Sequence, residues 1–286
     1  MRWSSPVDGF RLAYERTGAG PPVVLLHGWP GDHADYRQVT PLLSDRAEVI
    51  VPDLRGFGES DKHLVDPAEA YSAAAQARSV LALIEELGLD SPVVAGYDVG
   101  SRITQTIART APDRLRAIVV CPPLPGVGDR VLSPSAQREF WYQSFHQLDL
   151  SEALIDGDRA AVRAYLGHFW SHWSGPGYRQ PEGDLDRLTG MYSKPGAFTA
   201  SIGWYRAGSG TVASSLVETT PDPRDRISVD TTVLWPEHDP LFPQAWGDRI
   251  DDFFGRAKLR TLSGVGHFVP VEAPGDLASA IREVGS

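Results

Sequence analysis

The sequence is poor in cysteine, in long apolar runs and in clustered positive charge. Its single cysteine, Cys121, excludes an intrachain disulfide and any Cys-x-x-Cys motif, and we interpret it as a buried residue at a strand end. No stretch approaches the ~20 apolar residues that a membrane span needs, and the opening residues Met1 to Ser5 lack the apolar core of a signal peptide. These absences predict a cytoplasmic protein that does not enter a membrane.

Acidic residues outnumber basic ones by 37 to 27, which gives a formal net charge of -10. Because phosphate recognition is mainly electrostatic, this balance argues against nucleic acid as a partner and favours a neutral small molecule. The 286 residues are 42% apolar, enough to bury a substantial hydrophobic core.

Short apolar runs alternate with longer stretches whose apolar positions recur every three or four residues. The runs, each typical of a buried strand, are Val23 to His27, Glu48 to Pro52, Pro92 to Tyr97, Leu115 to Cys121, Thr231 to Trp235 and Leu259 to Leu262. Helical patterns cover Tyr71 to Leu87 and Ser101 to Ala111. This alternation predicts an α/β fold with a mostly parallel sheet.

The alternation stops between residues 126 and 226, where helical patterns and Gly or Pro turns replace the strand runs. This segment holds about half of the aromatic residues in about a third of the length. We therefore expect an α/β core of residues 1–125 and 227–286, and a helical cap domain of residues 126–226 over a largely apolar pocket.

The third apolar run leads directly into Gly96-Tyr97-Asp98-Val99-Gly100, after which a helix begins. A strand, a sharp turn with flanking glycines and a helix are the context of a nucleophile elbow, here with Asp98 where serine is usual. Taken alone, the pentapeptide also fits an ordinary strand-to-helix turn in which Asp98 caps the helix.

Two further segments are consistent with a catalytic site built around a nucleophile elbow. His27-Gly28-Trp29-Pro30-Gly31 follows the first buried strand, where the backbone N–H of Trp29 would complete an oxyanion hole with the N–H of Val99. The glycine-rich turn between Pro52 and Ser60 is interpreted as structural, bracing the site.

An acid and a base follow in the expected order. Asp239, in Glu237-His238-Asp239-Pro240, is the candidate carboxylate that orients the base, with Glu237 the less favoured choice. His267 lies after the last strand and is the candidate general base. The order nucleophile, acid, base is that of the hydrolases with this elbow.

The motifs HGWPG, PDLRGFGES, GYDVG, EHDP and GVGHF together resemble the epoxide hydrolases of the α/β-hydrolase superfamily, over most of the chain. Trp141 to Gln147 and Gly203 to Arg206 are similar to the family segments that carry two ring-opening tyrosines. The resemblance therefore implies that Tyr142 and Tyr205 hydrogen-bond the epoxide oxygen, and that no metal or other cofactor takes part.

The reaction implied by this resemblance uses an epoxide and water and yields a vicinal diol. Asp98 would open the ring as a covalent nucleophile, and His267 with Asp239 would activate water against the resulting ester. Trp141, Trp204 and Phe268 are expected to contact the substrate, and the aromatic residues of the insertion favour an aryl or polycyclic epoxide.

Dehalogenases are the alternative among enzymes, because a haloalkane or haloacid dehalogenase would use the same triad. Haloalkane dehalogenases usually have Asn after His-Gly and Trp after the nucleophile, where this chain has Trp29 and Val99. Fluoroacetate dehalogenases usually have two arginines after the nucleophile, of which only Arg102 is present. Both departures favour the epoxide hydrolase.

Two other readings stay open. The chain could be a catalytically inactive member of this fold that binds a ligand. His168 and His172 share a helix face, as zinc ligands can, but they lack the glutamate of His-Glu-x-x-His. A helix that packs Phe169 and Trp173 inward is the favoured interpretation.

Overall fold

The computed structural model describes residues 1–284, which contain eight strands in a single sheet of order β1-β2-β4-β3-β5-β6-β7-β8. The strands are β1 (Arg2–Trp3), β2 (Ala13–Thr17), β3 (Pro22–Leu26), β4 (Glu48–Pro52), β5 (Val93–Gly96), β6 (Ala117–Val120), β7 (Asp230–Pro236) and β8 (Ala257–Leu262). The six apolar runs are confirmed as strands, within a few residues at each end. The prediction of burial is wrong for the last run, because β8 lies at the edge of the sheet and is mostly exposed. Strands β1 and β2 lie outside those runs and pair antiparallel at one edge of an otherwise parallel sheet.

Helices cover the parallel sheet, so that strands β3, β5 and β6 are buried along almost their whole length. The helices outside the segment between β6 and β7 are α1 (Thr40–Leu43), α2 (Pro67–Ala70), α3 (Ala73–Glu86), α4 (Val99–Thr110), α13 (Ile250–Phe253), α14 (Val269–Glu272) and α15 (Pro274–Val284). Ser72 caps α3 by accepting the Ala75 N–H at 3.3 Å, and the helix buries Ala77, Val80 and Ile84 on one face.

Eight α-helices lie between β6 and β7 in the described structure, with no strand among them. They are α5 (Pro134–Glu139), α6 (Trp141–His146), α7 (Asp149–Ile155), α8 (Arg159–Trp173), α9 (Glu182–Tyr192), α10 (Ala197–Ser201), α11 (Gly203–Arg206) and α12 (Thr211–Val217). We call residues 126–226 the helical insertion. Its standing as a separate cap domain, apart from a core of residues 1–125 and 227–286, stays a prediction.

The longest helix of the insertion, α8, is capped by Asp158, whose carboxylate accepts the N–H groups of Ala160 and Ala161 at 2.8 and 3.0 Å. Phe169 and Trp173 are buried on its inner face, as predicted. Among residues 1–284, no helix has both the length and the apolar character required to cross a bilayer.

The glycine-rich turn after β4 braces the loop that follows β3. Asp53 is buried, and one of its oxygens accepts the His33 N–H at 2.8 Å while the other accepts the Glu59 N–H at 2.8 Å. The Leu54 N–H donates to His27 Nε2 at 3.1 Å. These contacts support the structural interpretation of this turn.

Candidate active site

Four loops that follow parallel strands meet at one edge of the sheet, because the carboxyl ends of parallel strands lie together. The loops after β3, β5, β7 and β8 carry Trp29, Asp98, Asp239 and His267, respectively. The predicted oxyanion, nucleophile, acid and base positions are therefore brought to the same place by the topology of the sheet.

Asp98 lies on a strained turn between β5 and α4. Its φ of 50° and ψ of -121° are unusual for a residue with a side chain and cost about 1–3 kcal/mol, so this conformation persists only where the surroundings enforce it. Close packing does so: a Cβ atom on Gly28 would lie 2.5 Å from the Asp98 Cβ, and one on Gly100 would collide with the Leu26 carbonyl. The turn directs the Asp98 carboxylate out of the sheet edge, as an elbow requires.

Two groups contact the Asp98 carboxylate directly. The Trp29 backbone N–H donates to Asp98 Oδ1 at 2.7 Å, and His267 Nε2 lies 3.5 Å from Asp98 Oδ2. The second distance is longer than a good N–H···O hydrogen bond, so that pair is an ion contact. Val99 is the first residue of α4, and its N–H therefore has no acceptor within the helix.

His267 is oriented by Asp239. Its Nδ1 lies 2.8 Å from Asp239 Oδ2, while Asp239 Oδ1 accepts the Leu241 N–H at 2.9 Å. Glu237 is instead half-exposed, and its carboxylate accepts the Gly264 N–H at 2.9 Å. Of the two carboxylates considered from the sequence, only Asp239 contacts the histidine.

The His267 ring is fully buried between two carboxylates. Burial by itself lowers the pKa of His267, but the negative charges of Asp239 and Asp98 outweigh it and raise the pKa to about 10. In the resting site His267 is therefore an imidazolium at neutral pH. Loss of the charge on Asp98 would lower its pKa again.

Tyr142 and Tyr205 approach this site from the insertion, on α6 and α11. Both are buried, their rings are 5.5 Å apart and edge to face, and both rings pack against Trp29 with centroid distances of 5.7 and 5.9 Å. Gln143 Nε2 donates to the Tyr142 hydroxyl at 3.1 Å. The buried Tyr205 hydroxyl makes no well-formed hydrogen bond within residues 1–284.

Both phenols are held in their neutral form. Burial, reinforced by the negative charge of nearby Asp98, raises the pKa values of Tyr142 and Tyr205 well above 10. Each hydroxyl can therefore donate a hydrogen bond, and it becomes an effective acid only towards a strong base such as an alkoxide.

The three predicted substrate contacts are placed differently. Phe268 is buried beside His267, with ring centroids 5.4 Å apart, and Trp204 is buried next to Tyr205 in the chain. Trp141 is 42% exposed and stacks on the outer side of Phe169. The structure brings Phe268 to the triad and does not bring Trp141 there.

Sequence reasoning missed several groups that hold the site together. The Trp173 carbonyl accepts the His267 N–H at 2.8 Å, and the Trp170 indole N–H donates to the Pro30 carbonyl at 3.0 Å. Glu272 accepts N–H groups on both sides of His267. Contacts to backbone atoms leave no residue pattern, so no sequence signal would have indicated these three.

Residues 21–274 match the family described as alpha/beta hydrolase fold, so the chain belongs to this family. It is a hydrolase of that fold.

Its similarity extends to named members. The chain is 30% identical over 278 residues to the soluble epoxide hydrolase of Corynebacterium sp. strain C12, covering 94% of this chain and 91% of that protein. It is also 30% identical to a fluoroacetate dehalogenase of Burkholderia sp., over 70% of this chain and 66% of that one. A solved structure of a putative epoxide hydrolase from Pseudomonas aeruginosa superimposes with a TM-score of 0.81 at 25% identity, covering 100% of this chain and 97% of that one.

Proposed function

We propose that this hydrolase converts an epoxide to a vicinal diol through an ester with Asp98. The observation that carries the proposal is an aspartate on the nucleophile elbow, in contact with both the Trp29 N–H and His267, beneath two buried neutral phenols. The similarity to a soluble epoxide hydrolase over nearly the whole chain supports the same reaction.

In the first step a carboxylate oxygen of Asp98 attacks a ring carbon of the epoxide. One carbon–oxygen bond forms, the bond between that carbon and the ring oxygen breaks, and its electron pair stays on the ring oxygen. Tyr142 or Tyr205 donates its proton to this developing alkoxide, which leaves a buried phenolate. No base is needed, because the attacking group is a carboxylate with no proton to remove.

Forming the ester changes the electrostatics around His267. Asp98 is no longer charged, so the pKa of His267 falls from the raised value that the two carboxylates maintain. The imidazolium proton can then restore the tyrosine phenol. His267 becomes a neutral base, still oriented by Asp239, at the point where a base is first required.

In the second step His267 removes a proton from water, which adds to the carbonyl carbon of the Asp98 ester. The N–H groups of Trp29 and Val99 stabilise the tetrahedral oxyanion. Collapse breaks the ester bond, and the diol oxygen takes the proton of the regenerated Asp98 carboxyl group. The products are the diol, the Asp98 carboxylate and the imidazolium.

This scheme accounts for aspartate at the elbow. A serine at position 98 would form an ether with the opened epoxide, and water activated by His267 could not hydrolyse it. An aspartate forms an ester, which the oxyanion hole and His267 are built to cleave.

Dehalogenation is the second candidate, favoured by the similarity to the fluoroacetate dehalogenase. Two features of the site weigh against it. The residue after the nucleophile, Val99, offers no side-chain donor to a departing halide, and the paired phenols suit an oxygen leaving group that must be protonated.

The test is to incubate the variant His267→Gln with styrene oxide and to analyse the intact protein and its peptides by mass spectrometry. The proposal predicts an adduct on Asp98 that persists, whereas wild type releases diol. Absence of an adduct in the variant together with absence of diol from wild type would overturn the proposal. Halide release from fluoroacetate or a haloalkane would then identify a dehalogenase.

A further inference from the structure

The carboxylate of Glu272 holds the backbone on both sides of His267. Glu272 ends α14, five residues after the histidine, and its side chain folds back toward the loop. Its Oε2 accepts the Gly266 N–H at 2.8 Å, and its Oε1 accepts the Phe268 N–H at 3.0 Å. The two neighbours of the general base are therefore bound to one side chain.

The same carboxylate also reaches the helical insertion. Glu272 Oε2 accepts the Gly175 N–H at 2.8 Å, and the His267 N–H donates to the Trp173 carbonyl at 2.8 Å. A Cβ atom on Gly175 would lie 2.8 Å from the Gly266 nitrogen and 2.9 Å from Glu272 Oε2. Only glycine at position 175 allows this approach, so residues 173–175 and residues 266–268 lie in close contact.

The position of His267 depends on these backbone contacts, because its ring forms few polar contacts of its own. Asp239 fixes Nδ1, but Nε2 is 3.5 Å from Asp98 and is a buried nitrogen with no hydrogen-bond partner in residues 1–284. The location of Nε2 is therefore set by Asp239 and by the loop backbone. Glu272 binds that backbone at two points.

We propose that Glu272 is a positioning residue for the general base, which fixes residues 266–268 and fastens them to residues 173–175 of the insertion. It does not contact Asp98, and it acts through His267. This inference rests on the proposed function, since it assigns Glu272 to the ester-hydrolysis step.

Measuring the two chemical steps separately distinguishes a positioning role of Glu272 from a general structural role. Formation of the ester needs Asp98 and the tyrosines, whereas its hydrolysis needs His267. Glu272→Ala should slow hydrolysis by about 100-fold, the effect of displacing a reacting group by about 1 Å, and leave ester formation essentially unchanged. Glu272→Gln keeps one acceptor oxygen, cannot bind all three N–H groups and should lie between alanine and wild type.

The chain provides a matched control in Glu237. Its carboxylate also accepts a backbone N–H, from Gly264 at the start of the same loop, but it is half-exposed and binds neither neighbour of His267. Glu237→Gln should hydrolyse the ester at the wild-type rate.

The experiment is a single turnover with excess enzyme and styrene oxide, quenched at intervals and followed by intact-protein mass spectrometry. Formation and decay of the Asp98 ester are measured for wild type, Glu272→Ala, Glu272→Gln and Glu237→Gln. Normal formation with slow decay in the Glu272 variants alone is the expected result. The pH dependence of the decay in Glu272→Gln provides a second readout, since removal of a nearby negative charge should shift its acid limb to lower pH.

Two results would overturn the assignment. Decay at the wild-type rate in Glu272→Ala would show that the histidine does not depend on this carboxylate. Equal loss of ester formation and decay in both Glu272 variants would show a structural role only. If wild type and His267→Gln both form no ester, the proposed function itself fails, and the step assigned to Glu272 fails with it.

Discussion

The central sheet and the helical insertion build the candidate site in different ways. The sheet places Asp98, Asp239 and His267 on loops whose positions follow from strand register. The insertion supplies Tyr142 and Tyr205 from helices of six and four residues, held mainly by ring packing. The charged groups thus come from loops that follow the strands of the sheet, and the two phenols come from short helices of the insertion.

The insertion also contacts the loop that follows β3 in the candidate site. The Trp170 indole N–H donates to the Pro30 carbonyl at 3.0 Å, and the Tyr192 hydroxyl donates to the Gly31 carbonyl at 2.9 Å. Arg187 forms an ion pair with buried Asp32 of the same loop. Variants in the insertion can therefore affect either proton donation or the position of the loops that follow the strands.

The largest effect is expected in the sheet, at the nucleophile. Asp98→Ser should lower diol formation by at least about 10⁴-fold, because loss of the covalent nucleophile removes the ester route. Steady-state diol formation from styrene oxide measures this loss, with circular dichroism as a check that the variant is folded. Turnover near the wild-type rate would rule out Asp98 as the nucleophile.

The next largest effect is expected in the insertion, at the two phenols. Tyr142→Phe and Tyr205→Phe should each slow ester formation by about 100-fold, the lower range for loss of a general acid. The rate of adduct formation in a His267→Gln background measures that step alone. Tyr165→Phe is the matched control: Tyr165 packs against the same Trp29 ring, but its hydroxyl bonds to His146. An equal loss in the control would show that removal of any buried hydroxyl from this aromatic cluster slows the step.

An intermediate effect is expected on the protonation of His267. In wild type its pKa is raised to about 10, and Asp98→Asn, which removes one of the two charges, should lower it. Proton NMR titration of the imidazole measures both values. An unchanged pKa in the variant would contradict the switch from imidazolium to base.

The same shift has a consequence for stability. Because the folded pKa of His267 lies above the unfolded value of about 6.5, its ion pairs stabilise the protein fully below that pH. This stabilisation is lost as the pH rises towards about 10. Denaturant unfolding of wild type and His267→Gln should therefore converge over this pH range.

The smallest effect is expected where the insertion holds the oxyanion loop. Trp170→Phe keeps an aromatic ring stacked on Phe268, at 3.7 Å in wild type, and removes the indole N–H that binds the Pro30 carbonyl. Loss of one such hydrogen bond is worth about 0.5–1.5 kcal/mol, so ester hydrolysis should slow by roughly 2- to 12-fold. Ester decay in single turnovers measures it, and no change would show that this contact does not position Trp29.

The difference between the central sheet and the helical insertion also explains which parts of the fold the sequence could predict. Strands buried on both faces, such as Val93–Gly96, appear as continuous apolar runs and were predicted on that basis. The sixth predicted strand, Ala257–Leu262, lies at the edge of the sheet and is mostly exposed. The antiparallel strand Ala13–Thr17, between β1 and β4, buries only its first two residues and so lacks such a run. Within the insertion, the sequence indicated helices without fixing their packing.

The site divides in a similar way. Asp98, Asp239 and His267 could be placed because each follows a recognisable strand. Trp141 precedes Tyr142 on one helix, and neighbours on a helix point about 100° apart; the helix buries Tyr142 and leaves Trp141 exposed, an orientation that the sequence did not reveal. Glu272 could not be found, because its partners are backbone N–H groups.

The central claim, a covalent ester at Asp98, is tested most directly by a single turnover in H₂¹⁸O with enzyme in excess over styrene oxide. Because water attacks the ester carbonyl, the account predicts that ¹⁸O enters the Asp98 carboxylate and that the diol from this turnover contains none. Appearance of ¹⁸O in the diol with an unlabelled Asp98 peptide would show direct attack of water on the epoxide and contradict the account.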